Sequence, residues 1–183
     1  ATGTNHYSHY LDVDSFVDQH WIVEFSKQID GYRLSNYMNK DRGGKLRMDP
    51  VWDWNLSFGN ADYLDGAMTS GWYYSLIGDS EHIWLRRLIT GTTSPTTTLG
   101  DPDFNQKITD RWSVLRTNIM SCTNVLARID ELAAYLNEAQ ARDFAKWPRL
   151  GTYVWPNPPI YSTPTTYAGI IANMKNWVRS RYN

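Results

Sequence analysis

"KQIDGYRLSNYMNKDRGGKLRMDPVWDWNLSFGNADY", residues 27–63, holds five aspartates, and two of them, Asp30 and Asp53, flank a segment with the pattern of a β-hairpin. The strand-like runs "SNYMNKD" and "KLRMDPVW" surround "RGGK", where Gly43 and Gly44 tolerate the positive φ of a tight turn. If Asn36 to Asp41 pairs antiparallel with Lys45 to Trp52, the strand ends remote from the turn lie about 5 Å apart. Asp30 and Asp53 are then neighbours. Two carboxylates in one place repel unless a cation lies between them or one holds a proton, so the pattern points to a bound metal. Phosphoryl transfer uses such a pair: one Asp orients or deprotonates the attacking hydroxyl, and a second holds Mg²⁺ against the phosphates. A plain structural reading stays open, in which Asp30 begins the turn "DGY" and Asp53 caps a local turn.

Working outward, Asp14 or Ser15 is placed to cap a helix running to about Gln28, with Phe16, Ile22, Phe25 and Ile29 on one face. "SFGNADYLDGAMTSGWYY" (57–74) is punctuated by Gly and reads as a long irregular loop. Beyond it, Asp79 or Ser80 opens "EHIWLRRLI". Asp101 with Pro102 opens a helix that turns Phe104, Ile108, Trp112 and Leu115 inward. Ser121 or Thr123 opens one long helix over "NVLARIDELAAYLNEAQARDFAKW", with Val125, Ile129, Leu132 and Leu136 as its buried stripe. "TGTTSPTTTLG" is a polar linker, and "PRLGTYVWPNPPIYSTP" (148–164) is a proline-rich arm leading to a last helix from about Thr165 to Arg181. The fold expected is α+β and mainly helical: a helix, then a β-hairpin, then a helical bundle. It forms a single domain over 11–183 after a boundary segment 1–10, with helix, hairpin and active-site loop in 11–78 and the helical region in 79–183.

At 183 residues the chain can bury a core without disulfides or metal. The 18 basic residues nearly balance the 19 acidic ones, so no field is present that would draw nucleic acid or an anionic membrane. No stretch approaches a membrane span, and the N-terminal "ATGTNHYSHY" lacks the features of a signal peptide. The absence of an initial Met suggests a piece of a longer protein. The single cysteine, Cys122, excludes an internal disulfide and is expected to be buried in a helix.

The segment "DVDSFVDQHWIVEFSKQIDGYRLSNYMNKDRGGKLRMDPVWDWNLSFGNADY" resembles the catalytic segment of the spore-coat-protein-H (CotH) family of secreted, atypical protein kinases, most clearly over Leu11 to Tyr74. The later "LAAYLNEAQARDFAKWPRLGTYVWPNP" is similar to the tail of a bacterial branch of that family. The resemblance implies the C-terminal lobe of a kinase, with ATP and Mg²⁺ or Mn²⁺ as cofactors and phosphoryl transfer to Ser or Thr of a protein substrate. The "DG" aspartate of the family carries over onto Asp30 as the catalytic residue. The "WD" aspartate carries over onto Asp53 as a metal ligand. Where the family has an Asn for a second metal, Ser35 stands here with Asn36 beside it, and Asn55 replaces a second acid after the "WD". The resemblance also implies a secreted or cell-surface location. The family's nucleotide-covering lobe would precede Leu11, so this chain alone is not expected to be an efficient kinase.

A second class of reading rests on the aromatic residues, which include 9 Trp and 12 Tyr. Trp72, Tyr74 and Trp155 lie in or beside loops, where exposed rings can stack against sugars. Polysaccharide is therefore an alternative partner, and a carbohydrate-active enzyme or an inactive adhesion scaffold are alternative roles. Arg33 can reach a phosphate or pair with Asp49. The histidines are not at metal-ligand spacings, and the loop acids Asp62 and Asp65 with Asn60 do not match an EF-hand.

Overall fold

Helix α1, Val13–Ser26, is buried on nearly every side, with Phe16, Val17, Gln19, His20, Trp21, Val23, Glu24, Phe25 and Ser26 all inside. It starts two residues earlier than its polar residues suggested. Asp12, at the N-cap, donates its N–H to the Leu46 carbonyl (2.8 Å), and its own carbonyl accepts from the Ser15 hydroxyl (2.7 Å). Pairing with the hairpin therefore fixes the helix start, and neither Asp14 nor Ser15 caps it. The structure, a computed structural model, describes residues 3, 5–78, 82–93 and 97–183. Asp79 and Ser80, expected to open the second helix, lie outside the described residues.

The hairpin forms from β1 (Asn36–Asn39) and β2 (Arg47–Val51), antiparallel, with Asn36 opposite Val51 and Met38 opposite Met48. β2 spends one more residue than β1 between those pairs, so the ladder is bulged around Asp49 and Pro50. Gly43 sits in the turn at φ 75°. The strands are shorter than expected, but the end remote from the turn is where Asp53 follows β2.

The chain divides into two compact units: 1–55 with 72–113, and 56–71 with 114–183. Neither unit is continuous in sequence. In the first unit, helix α2 (Ile83–Ile89) is followed by two two-residue strands, β3 (Gly91–Thr92) and β4 (Thr98–Leu99), inside the segment expected to be a plain linker. Helix α3, Pro102–Leu115, starts where Pro102 predicts it, and Asp101 Oδ1 accepts from the Phe104 N–H (2.9 Å). Its Trp112 stacks on Trp21 of α1 with centroids 4.5 Å apart, and the Trp21 indole N–H donates to the Ile108 carbonyl (2.8 Å).

The second unit carries α4 (Cys122–Tyr135), α5 (Asn137–Lys146), α6 (Pro159–Ser162) and α7 (Tyr167–Tyr182). The long helix expected over 122–147 breaks at Leu136, and the expected stripe is only partly inward. Val125 and Ile129 are half-buried, whereas Leu132 is 44% and Leu136 47% exposed. The face that meets α7 lies to one side of the stripe: Tyr167 bonds the Ala133 carbonyl and Lys175 pairs with Asp130. Leu132 lies about 100° round the helix from Ala133 and about 160° from Asp130, well off that face. Cys122 is half-buried, in the first turn of α4. In the loop 56–71, Trp177 of α7 packs on Phe58 and donates to the Ala67 carbonyl, and Arg181 donates to the carbonyls of Thr69 and Gly71. No helix among the described residues is long and apolar enough to cross a membrane.

A polar cluster is enclosed in the first unit. Glu24 is fully buried and accepts from the backbone N–H groups of Tyr73 (2.7 Å) and Tyr74 (2.8 Å) and from the Tyr32 hydroxyl (2.7 Å). Because Tyr32 donates to Glu24, its oxygen accepts from the Nδ1–H of His20, 2.7 Å away, which defines the histidine tautomer. Burial pushes the His20 imidazole down to about 3. Burial, with the Glu24 charge beside it, pushes the Tyr32 phenol well above its usual range. A histidine held neutral in the fold but free to protonate when unfolded contributes stability above about pH 6.5. That stability is lost at about 1.4 kcal/mol per pH unit as pH falls toward the folded value. Urea titrations between pH 6.5 and 4 are therefore expected to show stability falling with pH, and His20→Asn, which keeps a donor toward Tyr32, flattens that slope by about 1 kcal/mol per unit.

Candidate functional site

Asp30 takes its place from the way α1 ends. Lys27 adopts the left-handed conformation (φ 51°) and closes the helix with its N–H on the Val23 carbonyl. The chain then turns tightly, and the Asp30 carbonyl gathers the N–H groups of Arg33, Leu34 and Ser35, each at 2.9 Å. Gly31 is required by this turn through close approach, since a Cβ there would lie 2.5 Å from Val23 Cγ2. The Asp30 side chain is 14% exposed, and its Oδ1 pairs with Arg33 at 3.3 Å. Arg33 thus pairs with Asp30 and not with Asp49. Among the described residues no donor reaches Asp30 Oδ2.

Asp53 follows β2 at φ 58°, in a region that residues other than Gly enter at a cost and in which Asp is over-represented. Its side chain is exposed. The next residue, Trp54, donates from its indole N–H to Ser26 Oγ at the end of α1 (3.0 Å). The Asn55 amide turns its nitrogen to Asp53, donating to the carbonyl (3.2 Å) and to Oδ1 (3.0 Å), an orientation assigned from those partners.

What joins the two aspartates is Gln28, a residue the sequence reading passed over. Its side chain is fully buried. Nε2 donates to the Asp53 carbonyl (2.7 Å), and Oε1 accepts from the Asp30 N–H (3.2 Å). One amide thus ties the main chain at both aspartates. Glu24 was also missed, although it anchors the loop 72–74 to α1; within a helix it carried no motif. Tyr73 reaches the same turn, donating its hydroxyl to the Ile29 carbonyl.

Ser35 is buried in the turn, and Asn36 directs its amide N–H to the Tyr32 carbonyl (2.7 Å). Among the described residues no group of three or more His, Cys, Asp or Glu is assembled for a metal, so any cation here would rest on Asp30, Asp53 and neutral oxygens. Of the aromatic candidates, Trp72 is held edge-on by Trp21 and Trp112, and Tyr74 is half-buried. Trp155, in the second unit, is 68% exposed and stacks one face on Tyr63 at 5.8 Å. Asp62, weighed earlier as a loop acid, accepts from the Tyr153 hydroxyl (2.8 Å).

The close approach at Gly31 generates a test. Gly31→Ala is expected to destabilise the fold by about 1–3 kcal/mol through overpacking against Val23. In a double-variant cycle with Val23→Ala, the two costs are expected to fall short of additivity by more than about 0.5 kcal/mol, measured by urea unfolding.

A family model described as CotH kinase protein matches residues 2–183. Searches of curated proteins and of solved structures returned no match. The turn that places Asp30, the hairpin that brings Asp53 back to it and the amide that links them fall within that match, and the chain belongs to the CotH kinase family.

Proposed function

We propose that this chain is the portion of a CotH-type protein kinase that carries the catalytic and metal-binding aspartates, equivalent to a kinase C-terminal lobe. In the intact protein it would transfer the γ-phosphoryl group of ATP to a Ser or Thr hydroxyl of a protein substrate, at a secreted or cell-surface location. The observation that carries the reading is the junction at Gln28, which brings the main chain of Asp30 and Asp53 onto one side chain. Family membership supports the same chemistry.

The residues fit a divalent cation of the Mg²⁺ or Mn²⁺ type. The donors are hard oxygens, the Asp53 carboxylate and the Asn55 amide, which such ions prefer. A half-turn of the Asn55 amide puts its oxygen 3.0 Å from Asp53 Oδ1, so both can face one ion. When bound, the ion neutralises phosphate charge in the transfer. Asp53 and Asn55 would hold it. Asp30, with Arg33 on Oδ1, would offer its other oxygen to the attacking hydroxyl and take its proton. Ser35 and Asn36 lie on the adjoining turn and are candidates to complete the shell.

Mn²⁺ with ATP is expected to stabilise the intact protein by about 2.7 kcal/mol at a hundredfold excess over Kd, or about 5–10 °C in Tm. Asp53→Ala removes that shift, whereas Asp30→Asn keeps it and abolishes phosphate incorporation into a protein acceptor. No shift with the unmodified intact protein overturns the reading.

A further inference from the structure

We propose that Gln28 is a positioning residue for the metal site: one buried amide that sets the separation between Asp30 and Asp53 and thereby the geometry offered to the cation. The inference rests on the reading of those aspartates given above. A primary amide carries a donor and an acceptor on one carbon, and here each is used on a different aspartate, 2.7 Å to the Asp53 carbonyl and 3.2 Å from the Asp30 N–H. A carboxylate could not donate to Asp53, and an apolar side chain could bond neither.

The amide itself is well fixed. The Gln28 backbone N–H donates to Val23 (3.1 Å) and its carbonyl accepts from Gly31 (3.0 Å), so the main chain at Gln28 is held to the end of α1 on one side and to the turn on the other. The side chain is wholly enclosed, which removes rotamer alternatives and strengthens both bonds relative to water. Asp53, by contrast, is exposed and sits at positive φ just beyond β2, whose own ties to α1, at Arg47 and Met48, lie six and five residues back, so the Gln28 bond is the one that acts on the Asp53 main chain itself. The neighbouring Trp54 bond to Ser26 keeps the strand end near α1 when Gln28 is replaced, so a variant at Gln28 retains the docked hairpin and loses only the setting of the pair.

Gln28→Met, of similar length and apolar, tests this in the 183-residue chain against Trp21→Phe. The latter removes a buried bond of the same helix, to the Ile108 carbonyl, far along the chain from either aspartate. Free Mn²⁺ is followed by electron paramagnetic resonance, and amide hydrogen exchange is followed at Asp30 and at residues 52–55. Loss of a partner that orients a metal ligand typically weakens metal binding by about 10–100-fold. The expected result is a loss of that size in Gln28→Met, with faster exchange at Asp30 and 52–55, and neither change in Trp21→Phe at matched stability. Wild-type Mn²⁺ affinity in a folded Gln28→Met, or equal loss in Trp21→Phe, overturns the proposal. If the unmodified chain does not bind Mn²⁺, the reading of the aspartates as a metal site fails and the positioning of a metal fails with it. Exchange then still shows whether the amide couples the two segments.

Discussion

The arrangement depends on how one helix ends. After Ser26 the backbone of α1 leaves the helix through a left-handed Lys27, and within four residues a buried amide, Asp30 and a crowded glycine follow. Gln28 reaches sideways to the strand end while the turn from Asp30 to Ser35 closes on the Asp30 carbonyl. Moving any of these by an ångström would move Asp30 relative to Asp53. α1 is buried on nearly all sides instead of along one stripe, so these positions are set on a rigid element.

The same helix carries the cost of polar burial. Glu24, His20 and Tyr32 are enclosed together, and each is tolerable only because the others complete its hydrogen bonds. Their yield is structural: two backbone N–H groups of the segment 73–74 are fixed on Glu24, and the Tyr73 hydroxyl returns to the carbonyl just before Asp30. The irregular segment after residue 71 is thereby bound to the helix that also places the aspartate. Charge near the site is spread over Asp30, Arg33 and Asp53, with the arginine already committed to one oxygen of Asp30.

The hairpin beside the candidate site was legible in the sequence. The glycine turn and the strand pairing that returns the chain toward α1 follow from local pattern, because hairpin register and turn chemistry are short-range. The capping of α3 at Asp101 was legible for the same reason. Gln28 and Glu24 were not, since a glutamine or a glutamate in a helical pattern reads as ordinary surface and only its partners, 25 and 49 residues away, show otherwise. The stripe on α4 misled because periodicity gives a face but not which neighbour covers it. With α7 packed to one side, Leu132 and Leu136 stay in solvent. The two-residue strands β3 and β4 are too short for any alternation to register.

The sequence by itself determined a mainly helical chain around one hairpin, its turn and several of its helix ends, and it marked Asp30 and Asp53 as a candidate pair. Only the tertiary structure decided how they are held: which buried amide links them, that Arg33 answers Asp30, and that Asp53 is exposed at positive φ while Asp30 is largely covered. The division has a physical reason. Turns and helix ends are governed by neighbours a few residues apart, which a sequence displays, whereas burial and long-range hydrogen bonds depend on which segments meet in space.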